Sequence, residues 1–189
     1  MKINPVISLK KLNNAILHVQ NELYENGLWY EDSLLPKIEI YLCSIPRIFY
    51  EGFFMHGTTK WESFIGYKEG NLYIPNFSLA HIDNSKYSSV RGLVRHEYGH
   101  AFAHQYHDLI EKKAFEMAFG GSYYSEHKKE MPAEAYFTDY AMEYPCEDFA
   151  ETFKLYLKWK GKLPKKFTNK KLISKWNYVA NAIKKASKY

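Results

Sequence analysis

The chain has 189 residues, 46% hydrophobic and 17% aromatic, with a formal net charge of +5, enough apolar material for one core and nothing that suggests two. Its two cysteines, Cys43 and Cys146, exclude a disulfide framework at this size. The start Met1-Lys2-Ile3-Asn4-Pro5 lacks the apolar stretch of a secretory signal, and no run is long enough for a transmembrane segment. A cytoplasmic protein as synthesised is expected, with export by a non-Sec route still open.

In chain order, residues 8–26 carry Leu9, Leu12, Ile16, Val19 and Leu23 at helical spacing and stop near Gly27. Residues 37–42 alternate like a strand. Residues 63–67 and 72–74 flank Lys68-Glu69-Gly70-Asn71, a hairpin signal that Pro75 ends. This hairpin, with Tyr67 and Tyr73, is the candidate sheet edge for an extended peptide to join, or else purely structural. Val90, Leu93, Val94, Ala101 and Phe102, with Ser88 or Ser89 as cap, predict a helix over residues 88–107. Gly99 costs that helix about 1 kcal/mol relative to Ala, which implies a close neighbour. Residues 110–119 read as a further helix ending at Gly120-Gly121, and residues 122–135 as a polar loop, solvated or folded over a cleft.

The predicted helix over 88–107 contains His96-Glu97-Tyr98-Gly99-His100. Positions i and i+4 lie on one helix face about 6 Å apart along the axis, so the two imidazoles can share one metal ion. Glu97 beside them can take the proton of a water activated there. Catalytic zinc usually has three protein ligands, so a third must come from elsewhere. His104 and His107 have the wrong spacing, since His104 stands about 12 Å along the axis from His96.

A second helix offers Glu147-Asp148-Phe149-Ala150-Glu151, opened by Pro145, with acidic residues where the helix dipole favours them. Glu147 and Glu151 share a face. One can bind the metal while the other accepts the proton on the second nitrogen of a ligand histidine. The same residues would also serve as ordinary capping. A Cys146 thiolate could itself bind a metal, but neighbouring helix positions face about 100° apart, so one of Cys146 and Glu147 points away, and a buried, inert Cys146 is the expectation.

Taken together, His96, Glu97, Gly99 and His100, then Tyr140, then Glu147, Phe149, Ala150 and Glu151 resemble a gluzincin. More narrowly, they resemble zinc-binding metallopeptidases related to the lethal-factor catalytic domain, over about residues 60–158. The resemblance implies Zn²⁺ held by His96, His100 and Glu147, with Glu97 as general base. It also implies Glu151 behind a ligand histidine and Tyr140 as the phenol that stabilises the oxyanion. The expected fold is α+β and zincin-like, a single domain over 1–189 with a small mixed sheet on the metal helix and a mainly helical C-terminal half.

Charge divides unevenly. Residues 152–189 hold 12 Lys and no acid, whereas residues 1–151 have a net charge of −7. Apolar residues recur at helical spacing in this tail (Phe167, Leu172, Ile173, Trp176, Val179, Ile183), so a docked helix with its lysines in water is the simplest reading. A binding module for nucleic acid or an anionic surface, with a non-catalytic metal, is the rival. The absence of Arg from the tail weakens the nucleic-acid form. A peptide or protein is the expected substrate, and an effector protease acting on one host protein is a third reading.

Overall fold

The computed structural model describes residues 8–43, 66–68, 71–75, 89–110, 112–126 and 129–188. The N-terminal segment 1–7, Ser88, the 63–65 part of the expected hairpin strand, its turn residues Glu69 and Gly70, and the side chains of Cys43, Tyr67 and Tyr73 lie outside them.

Helix α1 (Leu9–Glu25) begins where the Ser8 hydroxyl accepts a hydrogen bond from the amide of Lys11, and it buries Leu12, Val19 and Leu23 on one stripe. Pro36 lies in a 3-10 turn, Leu35–Lys37, so the expected strand starts only at β1 (Ile40–Cys43). Strands β2 (Gly66–Lys68) and β3 (Asn71–Pro75) form the antiparallel pair the hairpin signal implied. Among the described residues the sheet order is β1-β3-β2, with β1 parallel to β3. Tyr73 is therefore in the central strand and only Tyr67 on an edge strand. Of the hairpin, β2 is thus the strand at the sheet edge among the described residues, and β3 is paired on both sides.

Helix α2 (Val90–Gln105) starts at Ser89, whose hydroxyl accepts from the Gly92 amide, and it packs against β2 and β3. Where one helix was expected over residues 110–119, two short ones occur, α3 (His107–Ile110) and α4 (Lys113–Phe119). The second ends on Gly120 at φ 84°. Helix α5 (Pro145–Lys158) has Pro in its first turn, where the missing N–H costs no intrahelical bond. Helix α6 (Lys170–Ala186) is capped by the Asn169 side chain, which accepts from the Lys171 amide at 2.8 Å. The described residues are thus mostly helical with a small sheet, compatible with α+β. None of these helices is long and apolar enough to cross a membrane.

The core lies where α2, α4 and α5 meet. Phe102 of α2 stands 5.2 Å from Phe153 and 6.2 Å from Phe149 between ring centres, and Phe115 and Phe119 of α4 add a stacked pair at 4.6 Å. Each such fully buried ring contributes about 2–3 kcal/mol. Gly99 is the crossing point of α2 and α5. A Cβ there would lie 2.9 Å from the Cα of Ala150, so the close neighbour implied by a mid-helix glycine is the backbone of the other motif helix. Arg95 makes a bidentate ion pair with Glu22 of α1, both bonds 2.7 Å, which fixes the rotation of α2 one residue before His96.

Helix α6 docks through Leu172, Trp176, Val179 and Ile183, and Trp176 sits among Tyr156, Trp159 and Phe137. Ten of the tail's 12 lysines are exposed, as expected of a docked helix, but two are not. Lys154 contacts Glu151. Lys175, with no exposed surface, pairs with the equally buried Asp148 at 2.7 Å and donates to the Ala135 carbonyl at 2.6 Å. The tail is therefore part of the core and is wired to the residue after Glu147.

Candidate metal centre

His96 and His100 project from the same face of α2 toward the first turn of α5, with their Nε2 atoms 3.1 Å apart. Glu147 Oε2 lies 3.0 Å from His96 Nε2 and 3.4 Å from His100 Nε2. Among the described residues these three form the group whose donor atoms converge as a metal site requires. A tetrahedral ion with bonds of about 2.0–2.1 Å sets its ligand atoms about 3.3–3.4 Å apart, so the triangle has the dimensions of one face of a zinc shell.

The remaining ring nitrogens define what a cation held there would neutralise. His96 Nδ1 is 2.8 Å from Glu151 Oε1, and an ionised carboxylate only accepts, so the His96 proton is on Nδ1 and Nε2 presents a lone pair. His100 Nδ1 is 2.8 Å from the Tyr123 hydroxyl. With both Nδ1 atoms protonated, three lone pairs face one another, and Glu147 Oε2 is a buried oxygen without a donor. Either a metal ion or an extra proton must relieve this. Without a metal the proton is held tightly: burial would lower the His96 pKa, but Glu147 and Glu151 outweigh it and push it up to about 10. Burial likewise opposes ionisation of Glu147, yet His100 and His96 hold its pKa well below the usual carboxylate range.

Glu97, the neighbour of His96, is 7% exposed, and its Oε2 is buried without a hydrogen-bond partner. Burial raises its pKa, partly offset by His96 and His100. A basic, under-coordinated carboxylate beside a cation site is suited to handling a proton. Glu151, by contrast, is saturated: it accepts from His96, from Thr138 Oγ1 at 2.8 Å and from Lys154. Burial would raise its pKa, but His96 and Lys154 bring it down to about 2, so it stays an acceptor.

Tyr140 belongs to a 3-10 turn, Tyr140–Met142, and its ring centre is 5.6 Å from that of His96. It is 40% exposed overall, while local burial of the phenol and the charge of Glu147 raise its pKa and keep it a neutral donor. His104 and His107 are exposed and away from the cluster, as expected. Cys146 is half-buried rather than buried, its Sγ 3.9 Å from Glu147 Oε1.

Three residues at the site escaped the sequence reading. Tyr123, one of 17 tyrosines, comes from the segment between the two motif helices, which is not merely a solvated connection: the side chain is 6% exposed and packs, tilted and edge-on, against Phe115 and Phe149. Nothing local marked it. Lys154 stands three residues after Glu151, a spacing that places the two side chains together on a helix, so it could have been found. Thr138 precedes the Tyr140 turn at the position from which a hydroxyl commonly caps the amide three residues on.

Comparison with curated proteins and with solved structures found no match. A family model described as anthrax toxin lethal factor, N- and C-terminal domain, matches residues 36–167, a span that contains both motif helices and leaves out α1 and α6. As that span is well over half of the 189 residues, the chain belongs to the anthrax toxin lethal factor family.

Proposed function

We propose that the chain is a zinc-dependent metallopeptidase of the gluzincin type on a zincin-like fold. The observation that carries this reading is the convergence of His96 Nε2, His100 Nε2 and Glu147 Oε2 within 3.0–3.4 Å, beside the under-coordinated carboxylate of Glu97. The family description names a toxin and two of its domains, not a reaction. It is the donor geometry that favours catalysis over a purely structural metal, since a structural site has no use for a buried free base.

In this reading two neutral imidazoles and one carboxylate hold a dication and leave it a net positive charge. When bound, zinc supplies Lewis acidity to the scissile carbonyl and lowers the pKa of water toward about 7. Glu97 takes the proton of the attacking water and passes it to the leaving amine. Tyr140, neutral and partly exposed at the rim, donates a hydrogen bond to the carbonyl oxygen as it becomes negative, a contact of the kind worth about 3 kcal/mol. Glu151 keeps the His96 proton on Nδ1, which leaves Nε2 free for the ion.

The test is metal content and peptide cleavage measured together. Glu97→Gln should retain zinc and lose turnover, and His100→Ala should lose both. Zinc-loaded Glu97→Gln with wild-type turnover would overturn the mechanism. Because the family is described by a toxin, the narrower form is an effector that cleaves one host protein. It would cut a single species in a lysate and leave a broad peptide library intact. The lysine-rich binding module is tested by replacing exposed lysines with Gln. Deleting residues 161–189 would not test it, since α6 is part of the core.

A further inference from the structure

We infer that Thr138 is a positioning residue that ties the turn carrying Tyr140 to the carboxylate behind His96, so that the phenol is aimed at the metal site. The inference rests on the peptidase reading for its kinetic consequence but not for its structural one.

A threonine hydroxyl has one proton to give and lone pairs to receive. Thr138 Oγ1 is 2.8 Å from Glu151 Oε2 and 3.2 Å from the Ala141 amide nitrogen. An ionised Glu151 can only accept, so the Thr138 proton goes to the carboxylate and a lone pair is left for the Ala141 N–H. Both bonds are thereby fixed in direction. The second holds the peptide between Tyr140 and Ala141, the last piece of backbone before the Tyr140 side chain. Ala141 is fully buried, whereas Tyr140 is 40% exposed. The exposed part of Tyr140 is not its phenol, which is buried beside Glu147 and hydrogen-bonded to it, so that contact holds the tip of the ring while the backbone bond fixes the turn from which the ring projects.

Without Thr138, Glu151 still receives His96 and Lys154, so the orientation of His96 survives. The Ala141 amide would lose the hydroxyl that ties its turn to the metal-supporting carboxylate. Thr138 therefore acts on Tyr140 rather than on the metal.

The experiment compares wild type, Thr138→Val, Thr138→Ser, Tyr140→Phe and the Thr138→Val/Tyr140→Phe double variant. It measures kcat, KM and zinc affinity, and the fluorine NMR signal of 3-fluorotyrosine placed at position 140 in the proteins that retain that tyrosine. Thr138→Val should shift or broaden the fluorine line and lower kcat about tenfold, the scale of one hydrogen bond to a charged network. KM and zinc affinity should stay within about twofold, Thr138→Ser should restore the wild-type line, and Thr138→Val should cost nothing more in the Tyr140→Phe background. An unmoved fluorine line, a full additional loss in that background, or a tenfold fall in zinc affinity would overturn the inference. If the wild-type protein cleaves nothing, the peptidase reading fails, and the fluorine line alone still decides whether Thr138 positions Tyr140.

Discussion

Replacing Gly99 with Ala sets two effects of opposite sign against each other. In a helix interior Ala is favoured over Gly by about 1 kcal/mol, so propensity alone makes Gly99→Ala a stabilising change. The new methyl, however, would lie 2.9 Å from Ala150 Cα and 3.3 Å from both Ala150 Cβ and the Ala150 carbonyl oxygen. Non-bonded carbons settle at about 3.5–4.0 Å, so α2 and α5 must separate by about 0.6 Å at their crossing. Overpacking of this kind costs about 1–3 kcal/mol, which cancels the propensity gain and leaves a net loss of about 0–2 kcal/mol. The metal site feels the same movement. His100 adjoins Gly99 and Glu147 is one turn from Ala150, so the 3.4 Å separation of His100 Nε2 and Glu147 Oε2 would open toward about 4 Å. Zinc affinity should fall about tenfold or more. Denaturant unfolding and competition with a chelator measure the two quantities, and adding Ala150→Gly should rescue only in part because the closest contact is to backbone. A Gly99→Ala protein that is about 1 kcal/mol more stable than wild type and binds zinc equally well would refute the reasoning.

Tyr123→Phe removes the partner of His100 Nδ1 and should weaken zinc binding about 10- to 100-fold with little change in fold, read by chelator competition and circular dichroism. In the metal-free protein the His96 pKa is raised from 6.5 to about 10, so the stability its proton confers is complete below pH 6.5 and lost as pH rises toward 10. Glu151, lowered from 4.5 to about 2, confers stability that is present above pH 4.5 and lost as pH falls toward 2. Unfolding of chelated protein should therefore show falling stability from pH 6.5 upward, and saturating zinc, which takes the place of the proton, should remove that alkaline decline. Lys175→Met leaves Asp148 buried without its ammonium and should cost about 3–5 kcal/mol, whereas Lys175→Met combined with Asp148→Asn should recover much of the loss in urea unfolding.

What could be read from the residues alone was set by local periodicity. The α1 and α2 boundaries fall within two residues of those expected, because capping hydroxyls and apolar spacing act over a few residues. The placing of His96 and His100 on one face follows from helix geometry, and the mid-helix Gly99 pointed to a close contact whose partner, Ala150, only the fold reveals. Long-range choices were hidden. The insertion of β1 beside β3 pairs residues more than 30 positions apart, a separation over which no local sequence signal sets the register. Burial of Lys154 and Lys175 runs against the general rule for lysine and depends on carboxylates supplied by α5. Tyr123 reaches His100 from a segment with no periodic pattern, so its role comes from tertiary packing alone.

The central claim is that two imidazoles and one distant carboxylate hold a single divalent ion. X-ray absorption at the zinc edge, on protein carrying one equivalent of Zn²⁺, tests it most directly. Low-coordinate zinc with two imidazole nitrogens and carboxylate oxygen at about 2.0–2.1 Å is expected, with one imidazole contribution lost in His100→Ala and the oxygen shell altered in Glu147→Ala. A hydrated spectrum without imidazole scattering, unchanged by either substitution, would contradict it.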